Sequence, residues 1–290
     1  MDRLHPSSFR TTDPKAASLP RSPAHSATMR CFFHSSLCMA DDHLPWLQPG
    51  DEFPSVALSW GSESAAPGLL AAGGNLSVAQ LKSAYQRGIF PWFSPGQPVL
   101  WWSPDPRMVL PVAEFRLHRS LRRTLQKFRL SPQCEIRVDH DFGAVIKACA
   151  GTPRSGQNGT WIVPQMVDAY RAFHAAGFAH SVETWVDGRL VGGLYFIALG
   201  KAVFGESMFA HATDASKVAL AAFVCLCRHH GVALIDCQQN TAHLASFGAH
   251  EIDRARFLDH VAKASQEAPV SWKFEPVYWT ALMHPTGNPG

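Results

Sequence analysis

Three strand-forming runs, residues 179–186, 189–199 and 201–206, follow one another with only Asp187-Gly188 and Gly200 between them. Asp-Gly and Gly supply the positive φ that tight hairpins need, so the runs are expected to pair antiparallel. A long apolar helix over residues 214–230, closed by Gly231, comes next, and a buried strand over residues 232–237 follows it. Further helical patterns lie at residues 141–150, at 163–176 with Pro164 at its start, at 241–247 and at 255–264. The expected fold class is α+β with a mainly antiparallel sheet.

The chain upstream reads differently. From Leu44 to Pro106 it is dense in Pro, Gly and Trp: Pro45-Trp46, Phe53-Pro54, Pro67-Gly68, Gly73-Gly74-Asn75 and Gly88-Ile-Phe-Pro-Trp92. Ser77 is a good N-cap for a short helix to about Arg87, which Gly88 can end. The region therefore reads as one helix held in turns. Residues 1–40 are rich in Ser, Pro, Ala and Arg, with Asp2 and Asp13 as their only acids, and are expected to be disordered. Such a start also resembles an organelle transit peptide, without a clean amphipathic helix. Met39, just ahead of Ala40-Asp41-Asp42, marks a second possible start. The expected organisation is an extension over 1–40, a small domain over 41–106, a larger domain over 107–270 and a tail over 271–290.

At 46% hydrophobic and 17% charged residues, 290 residues bury a substantial core. No uninterrupted apolar run approaches the roughly 18 residues of a membrane span. The seven cysteines, Cys31, Cys38, Cys134, Cys149, Cys225, Cys227 and Cys237, are odd in number and form no framework, which suits a reducing cytoplasm. Cys225-x-Cys227 lacks the second pair that a zinc site needs. The net charge of +3 announces no nucleic-acid binding by itself. Arg116, Arg119, Arg122, Arg123, Lys127 and Arg129 nevertheless occur without an intervening acid, while Leu121, Leu125 and Phe128 recur at i, i+4 and i+7. The spacing predicts an amphipathic helix with a basic face, either simply solvated or in contact with phosphates.

Few residues suggest chemistry on their own. No phosphate-loop or dinucleotide fingerprint accompanies the glycine-rich turns. Gly205-Glu-Ser-Met-Phe209 has Phe where a nucleophile elbow needs its last Gly. Cys237, with His180 or His243, could be imagined as a thiol nucleophile. Strand alternation sends Cys237 away from Asp236 and Gln238, and makes it a buried structural thiol. The same alternation sets Asp236 and Gln238 side by side, a carboxylate next to an amide, suited either to orienting a polar substrate or to capping.

Gly68-Leu-Leu-Ala-Ala-Gly-Gly-Asn-Leu-Ser77, Ala84-Tyr-Gln-Arg-Gly-Ile-Phe-Pro-Trp-Phe-Ser94, Trp101-Trp-Ser-Pro-Asp-Pro-Arg107, Gly159-Thr-Trp-Ile162, Ala179-His-Ser-Val-Glu183, Gly192-Gly-Leu-Tyr195, Gly205-Glu-Ser-Met-Phe209, Ala215-Ser-Lys217 and Ile235-Asp-Cys-Gln238 occur in that order. Over residues 44–265 the chain resembles the leucyl/phenylalanyl-tRNA–protein transferases. The resemblance implies a small N-terminal domain before a larger domain like that of the GNAT acetyltransferases, and neither a metal nor a dissociable cofactor. It implies transfer of Leu, Phe or Met from aminoacyl-tRNA to the N-terminal Arg or Lys of acceptor proteins, marking them for degradation. A cytoplasmic monomer without membrane contact is expected.

By the same resemblance Asp236 holds Gln238, Gln238 draws on the attacking α-amine, and Glu206 supplies negative charge for the acceptor's cationic side chain. Trp92 and Trp161 would flank the terminal adenosine. Leu194, Leu220 and Phe223 would form the pocket for the transferred side chain, and the helix carrying Arg119, Arg122, Arg123 and Lys127 would face the tRNA. Three positions depart from the pattern: Asn75 for Asp, Phe196 for Gly and Val203 for Phe; the last two bear on the pocket. Two alternatives share parts of this reading. An acyl-CoA-dependent N-acetyltransferase would need a pyrophosphate-binding turn that residues 207–217 do not offer. A non-catalytic tRNA-binding protein would have no use for Asp236 and Gln238.

Overall fold

The computed structural model describes residues 44–152 and 162–283. The expected disorder of residues 1–40 and the position of Trp161 lie outside these residues.

The first region holds more than one helix in turns. Four short strands, β1 (Trp46–Leu47), β2 (Leu69–Gly73), β3 (Phe90–Pro91) and β4 (Leu100–Trp102), form a sheet in the order β1-β2-β4-β3. They are two to five residues long, too short to show a period of two. Helix α1 (Val78–Gln86) is the expected one, with the Ser77 hydroxyl accepting from the Gln80 amide. Trp101 is buried and donates its indole N–H to the Gly73 carbonyl at 2.9 Å. Gly73 has φ of +86°, and a Cβ there would stand 2.6 Å from the Leu47 carbonyl oxygen, so the parallel pairing of β1 with the end of β2 requires glycine.

The second sheet has seven strands. They are β5 (Arg107–Pro111), β6 (Cys134–Val138), β7 (Ala179–Val186), β8 (Arg189–Leu199), β9 (Ala202–Ala210), β10 (Leu234–Gln238) and β11 (His250–Ile252), in the order β11-β5-β10-β9-β8-β7-β6. Every neighbouring pair is antiparallel except β9 and β10. The helices are α2 (Arg119–Leu130), α3 (Phe142–Gly151), α4 (Pro164–Ala175), α5 (Ala215–His229), α6 (Ala242–Ser246), α7 (Arg254–Ala264) and α8 (Thr280–Met283). Strand β8 shows how the sheet divides the interior. Leu194, Phe196 and Ala198 pack with α2 and α5, whereas Tyr195, Ile197 and Leu199 pack with α1, α3, α4, α7 and the first sheet.

Candidate active site

Strands β9 and β10 run parallel only where Val203 and Phe204 face Ile235 and Asp236, and beyond that they part. A bulge stands on each strand at the parting. On β9, Gly205 pairs with Phe196 and Ser207 with Tyr195, which leaves Glu206 as the extra residue. On β10, Asp236 pairs with Val109 and Gln238 with Met108, which leaves Cys237 extra, and Gln238 takes the left-handed conformation at φ of 59°. Bulges re-aim side chains and end pairing, so both polar residues turn toward the gap.

The bulge overturns the expected alternation. Asp236 is fully buried behind the cavity, while Cys237 lines it together with Gln238. Burial pushes the Cys237 thiol well above its ordinary range, and the Asp236 charge adds to this, so the thiol is no ready nucleophile.

Asp236 is held by a residue that sequence reasoning did not single out. The Arg107 guanidinium donates from Nε to Oδ1 at 2.8 Å and from Nη2 to Oδ2 at 2.7 Å, both groups being buried. Its remaining nitrogen Nη1 donates to the Gly88 carbonyl at 3.1 Å, and its plane lies 4.8 Å from the Phe90 ring and 4.5 Å from the Phe257 ring. Gly88 has φ of +67°, and a Cβ there would meet Leu258 at 2.5 Å. Asp236 Oδ1 also accepts the backbone N–H of Gln238 at 3.0 Å. Asp236 therefore holds Gln238 by its main chain and pins the bulge.

The Gln238 side chain is oriented from the other strand. Its Nε2 donates to Glu206 Oε1 at 3.3 Å, the same oxygen that accepts from the Tyr85 hydroxyl at 2.8 Å. Tyr85 and Tyr170, both buried, share a hydrogen bond of 2.5 Å between their hydroxyls. Burial is the main cause that raises the Glu206 carboxyl to about 8, with the Asp236 charge adding to it and the Tyr85 hydrogen bond and Arg107 opposing. Glu206 is thus mostly neutral at pH 7, and a cation placed beside it would favour ionisation.

These groups open on a cavity of about 650 Å³. Trp92, Leu194, Leu220 and Phe223 line it with Glu206 and Gln238, and Phe90, Leu110, Met208, Ile235 and Leu244 add apolar surface. Trp92 sits edge-on to Trp102 at 5.4 Å, and its carbonyl accepts the Trp102 indole N–H at 2.6 Å. The expected cavity residues that are described thus meet at one place, with Asp236 one layer behind. Helix α2 takes no part in the lining. Its Leu121, Leu125 and Phe128 are buried, Arg119, Arg123 and Lys127 are exposed, and Arg122 is half-buried. Sequence reasoning gave Tyr85, Tyr170 and Arg107 no role because their partners are distant in sequence, although an arginine at the head of the apolar run Arg107–Pro111 hinted at a buried charge.

The family model for leucyl/phenylalanyl-tRNA protein transferase matches residues 109–262, and that for the N-terminal domain of the same proteins matches residues 74–105. A leucyl/phenylalanyl-tRNA–protein transferase of Polaromonas sp. is 62% identical over 240 residues, covering 83% of this chain and 94% of the relative. Proteins of the same name from Methylibium petroleiphilum and Burkholderia thailandensis are 59% and 56% identical, covering 83% of this chain in each case and 92% and 94% of the relatives.

Proposed function

The chain belongs to the leucyl/phenylalanyl-tRNA protein transferase family, and on that premise we propose that its cavity joins a charged tRNA end to the N-terminus of an acceptor protein. The enzyme is an aminoacyltransferase that moves Leu, Phe or Met onto an N-terminal Arg or Lys and so marks the acceptor for degradation. The hydrogen bond from Gln238 Nε2 to Glu206 carries the mechanistic reading. It commits the amide nitrogen and leaves the carbonyl oxygen of Gln238 as an acceptor for an amine N–H.

The donor ester is already activated, and an α-amine with pKa near about 8 is partly neutral at pH 7, so positioning supplies most of the acceleration. Gln238 aims the lone pair of the amine at the ester carbonyl carbon. A C–N bond forms, the C–O bond to the terminal ribose breaks, and the amine proton passes to the departing ribose oxygen, relayed by the neighbouring ribose hydroxyl. Asp236 and Arg107 are positioning residues that hold the bulge. Glu206 receives the acceptor's cation and ionises as it does so. Trp92 stacks on the terminal adenine, a contact worth about 1–3 kcal/mol. Leu194, Leu220 and Phe223 receive the donor side chain, and Arg119, Arg122, Arg123 and Lys127 meet tRNA phosphates. Free thiols at the five described cysteines suit action in the cytoplasm.

Transfer of radiolabelled leucine from Leu-tRNA to a peptide beginning with Arg tests this reading. Gln238→Ala should lower kcat about a hundredfold or more, the scale of a lost polar contact to the reacting groups, while Cys237→Ser stays near wild type. Undiminished transfer by Gln238→Ala would overturn the role given to the amide. A folded but inactive Cys237→Ser would revive a thiol nucleophile.

A further inference from the structure

The wall of the cavity continues behind Phe223 into an aromatic stack. Phe223 on α5 is buried and lines the cavity, whereas Phe196 and Trp272 do not. The Phe196 ring, itself fully buried on β8, lies 4.3 Å from the Phe223 ring. Trp272 then meets Phe196 edge-on at 4.8 Å and stands 6.3 Å from Phe223. His180 packs against both Phe196 at 5.5 Å and Trp272 at 5.9 Å, its imidazole tied to the Asp139 carboxylate at 2.7 Å. Trp272 belongs to the segment that follows α7, beyond residues 109–262 that match the family model.

We propose that Phe196 and Trp272 set the depth of the donor side-chain pocket, and with it the preference between Leu and Phe, by buttressing Phe223 from behind. This rests on the reading of Leu194, Leu220 and Phe223 as the donor pocket. Leu194 and Phe196 occupy the same face of β8, so one supplies the pocket surface and the other its support. The buried Phe196 ring, backed by the half-buried Trp272, leaves Phe223 no room to move back. A residue without a large side chain at position 196 would leave a void there, into which the Phe223 ring or a bulkier donor could extend. The preference of this chain therefore depends on two side chains that never touch the donor.

The decisive measurement is kcat/KM with Leu-tRNA and with Phe-tRNA under the same conditions. Apolar pockets discriminate by about 10–200-fold for one methylene, and on that scale Phe196→Ala should raise the ratio of Phe to Leu about tenfold, mainly through the donor KM. Trp272→Ala should shift it less in the same direction, Phe196→Leu should fall between wild type and Phe196→Ala, and Trp272→Phe should restore most of the original ratio. The double variant Phe196→Ala/Trp272→Ala should add little to Phe196→Ala, because both residues act through one ring. Phe223→Ala separates the two layers of inference. If it leaves the ratio unchanged, the donor-pocket reading itself fails. If it shifts the ratio while Phe196→Ala, Phe196→Leu and Trp272→Ala leave it unchanged or depress both donors equally, the buttress is overturned and the pocket stands. Should Phe196→Ala not fold, Phe196→Leu and Trp272→Ala decide the matter by the same ratio.

Discussion

The cavity and helix α2 both concentrate polar and charged groups, but they use them in opposite ways. Around the cavity each such group is locked at short range: Arg107 to Asp236 at 2.7 Å, Asp236 to the Gln238 amide at 3.0 Å, Tyr85 to Glu206 at 2.8 Å. On α2, Arg119, Arg123 and Lys127 stand in solvent without an ion pair among the described residues. In a low-dielectric interior a charge interacts strongly with few partners, and losing one strands the others. In water, charges act through a field that salt screens beyond about 8–10 Å, and their effects accumulate one by one. The interior arrangement suits aiming a lone pair, and the exposed one suits drawing a polyanion to the surface.

The largest expected effect comes from Asp236→Ala, which leaves the buried Arg107 unpaired. Removing one partner of a buried ion pair typically costs about 3–5 kcal/mol, so urea unfolding should show a large loss of stability together with lost transfer. Wild-type stability in this variant would mean that the pair does not brace the site. The replacement of Arg119, Arg123 and Lys127 by Ala should act in the contrary manner. Stability should hardly change, and the slope of log affinity for charged tRNA against log salt should flatten by about 0.7–0.9 for each lost phosphate contact. A minimal aminoacyl-adenosine donor should be unaffected, and equal losses with both donors would place these residues in the fold instead.

The smallest effect sharpens the comparison through pH. Burial raises Glu206 from an ordinary 4.5 to about 8, so the folded state keeps a proton that the unfolded state has released. Stability from this group is therefore fully present below about 4.5 and is lost as pH rises toward 8. Glu206→Gln, which cannot titrate, should show a shallower decline of melting temperature across that window. Parallel declines would indicate that the carboxyl is not enclosed.

The sequence showed some parts of this arrangement and concealed others for physical reasons. The hairpins through Asp187-Gly188 and Gly200 and the helix ending at Gly231 were legible because local turn chemistry and a long apolar period specify them. The four-stranded sheet, β5, β6 and β11 were not, since strands of two to five residues give too few alternations to count. The extent of β9 was underestimated because its second half, Gly205 to Ala210, carries the bulge and half-buried polar residues. The resemblance pointed to Asp236, Gln238 and Glu206 but not to their disposition: an extra residue at Cys237 and another at Glu206 reverse the alternation, and no local pattern signals a bulge. Tyr85 and Arg107 reach Glu206 and Asp236 across 121 and 129 positions, a distance over which periodicity is silent.

The grip of Arg107 has a consequence for inheritance. The arginine holds Asp236 on one side and the Gly88 carbonyl on the other, with its charge sealed from water. A lineage that mutated either member alone would pass through an intermediate carrying an unpaired buried charge, against a folding margin of only about 5–15 kcal/mol. Exchange at position 107 or 236 is thus costly unless both change together, and position 88 favours glycine through its left-handed backbone, φ of +67°. One guanidinium group makes the tolerance of position 107 depend on the residue at position 236, 129 places away.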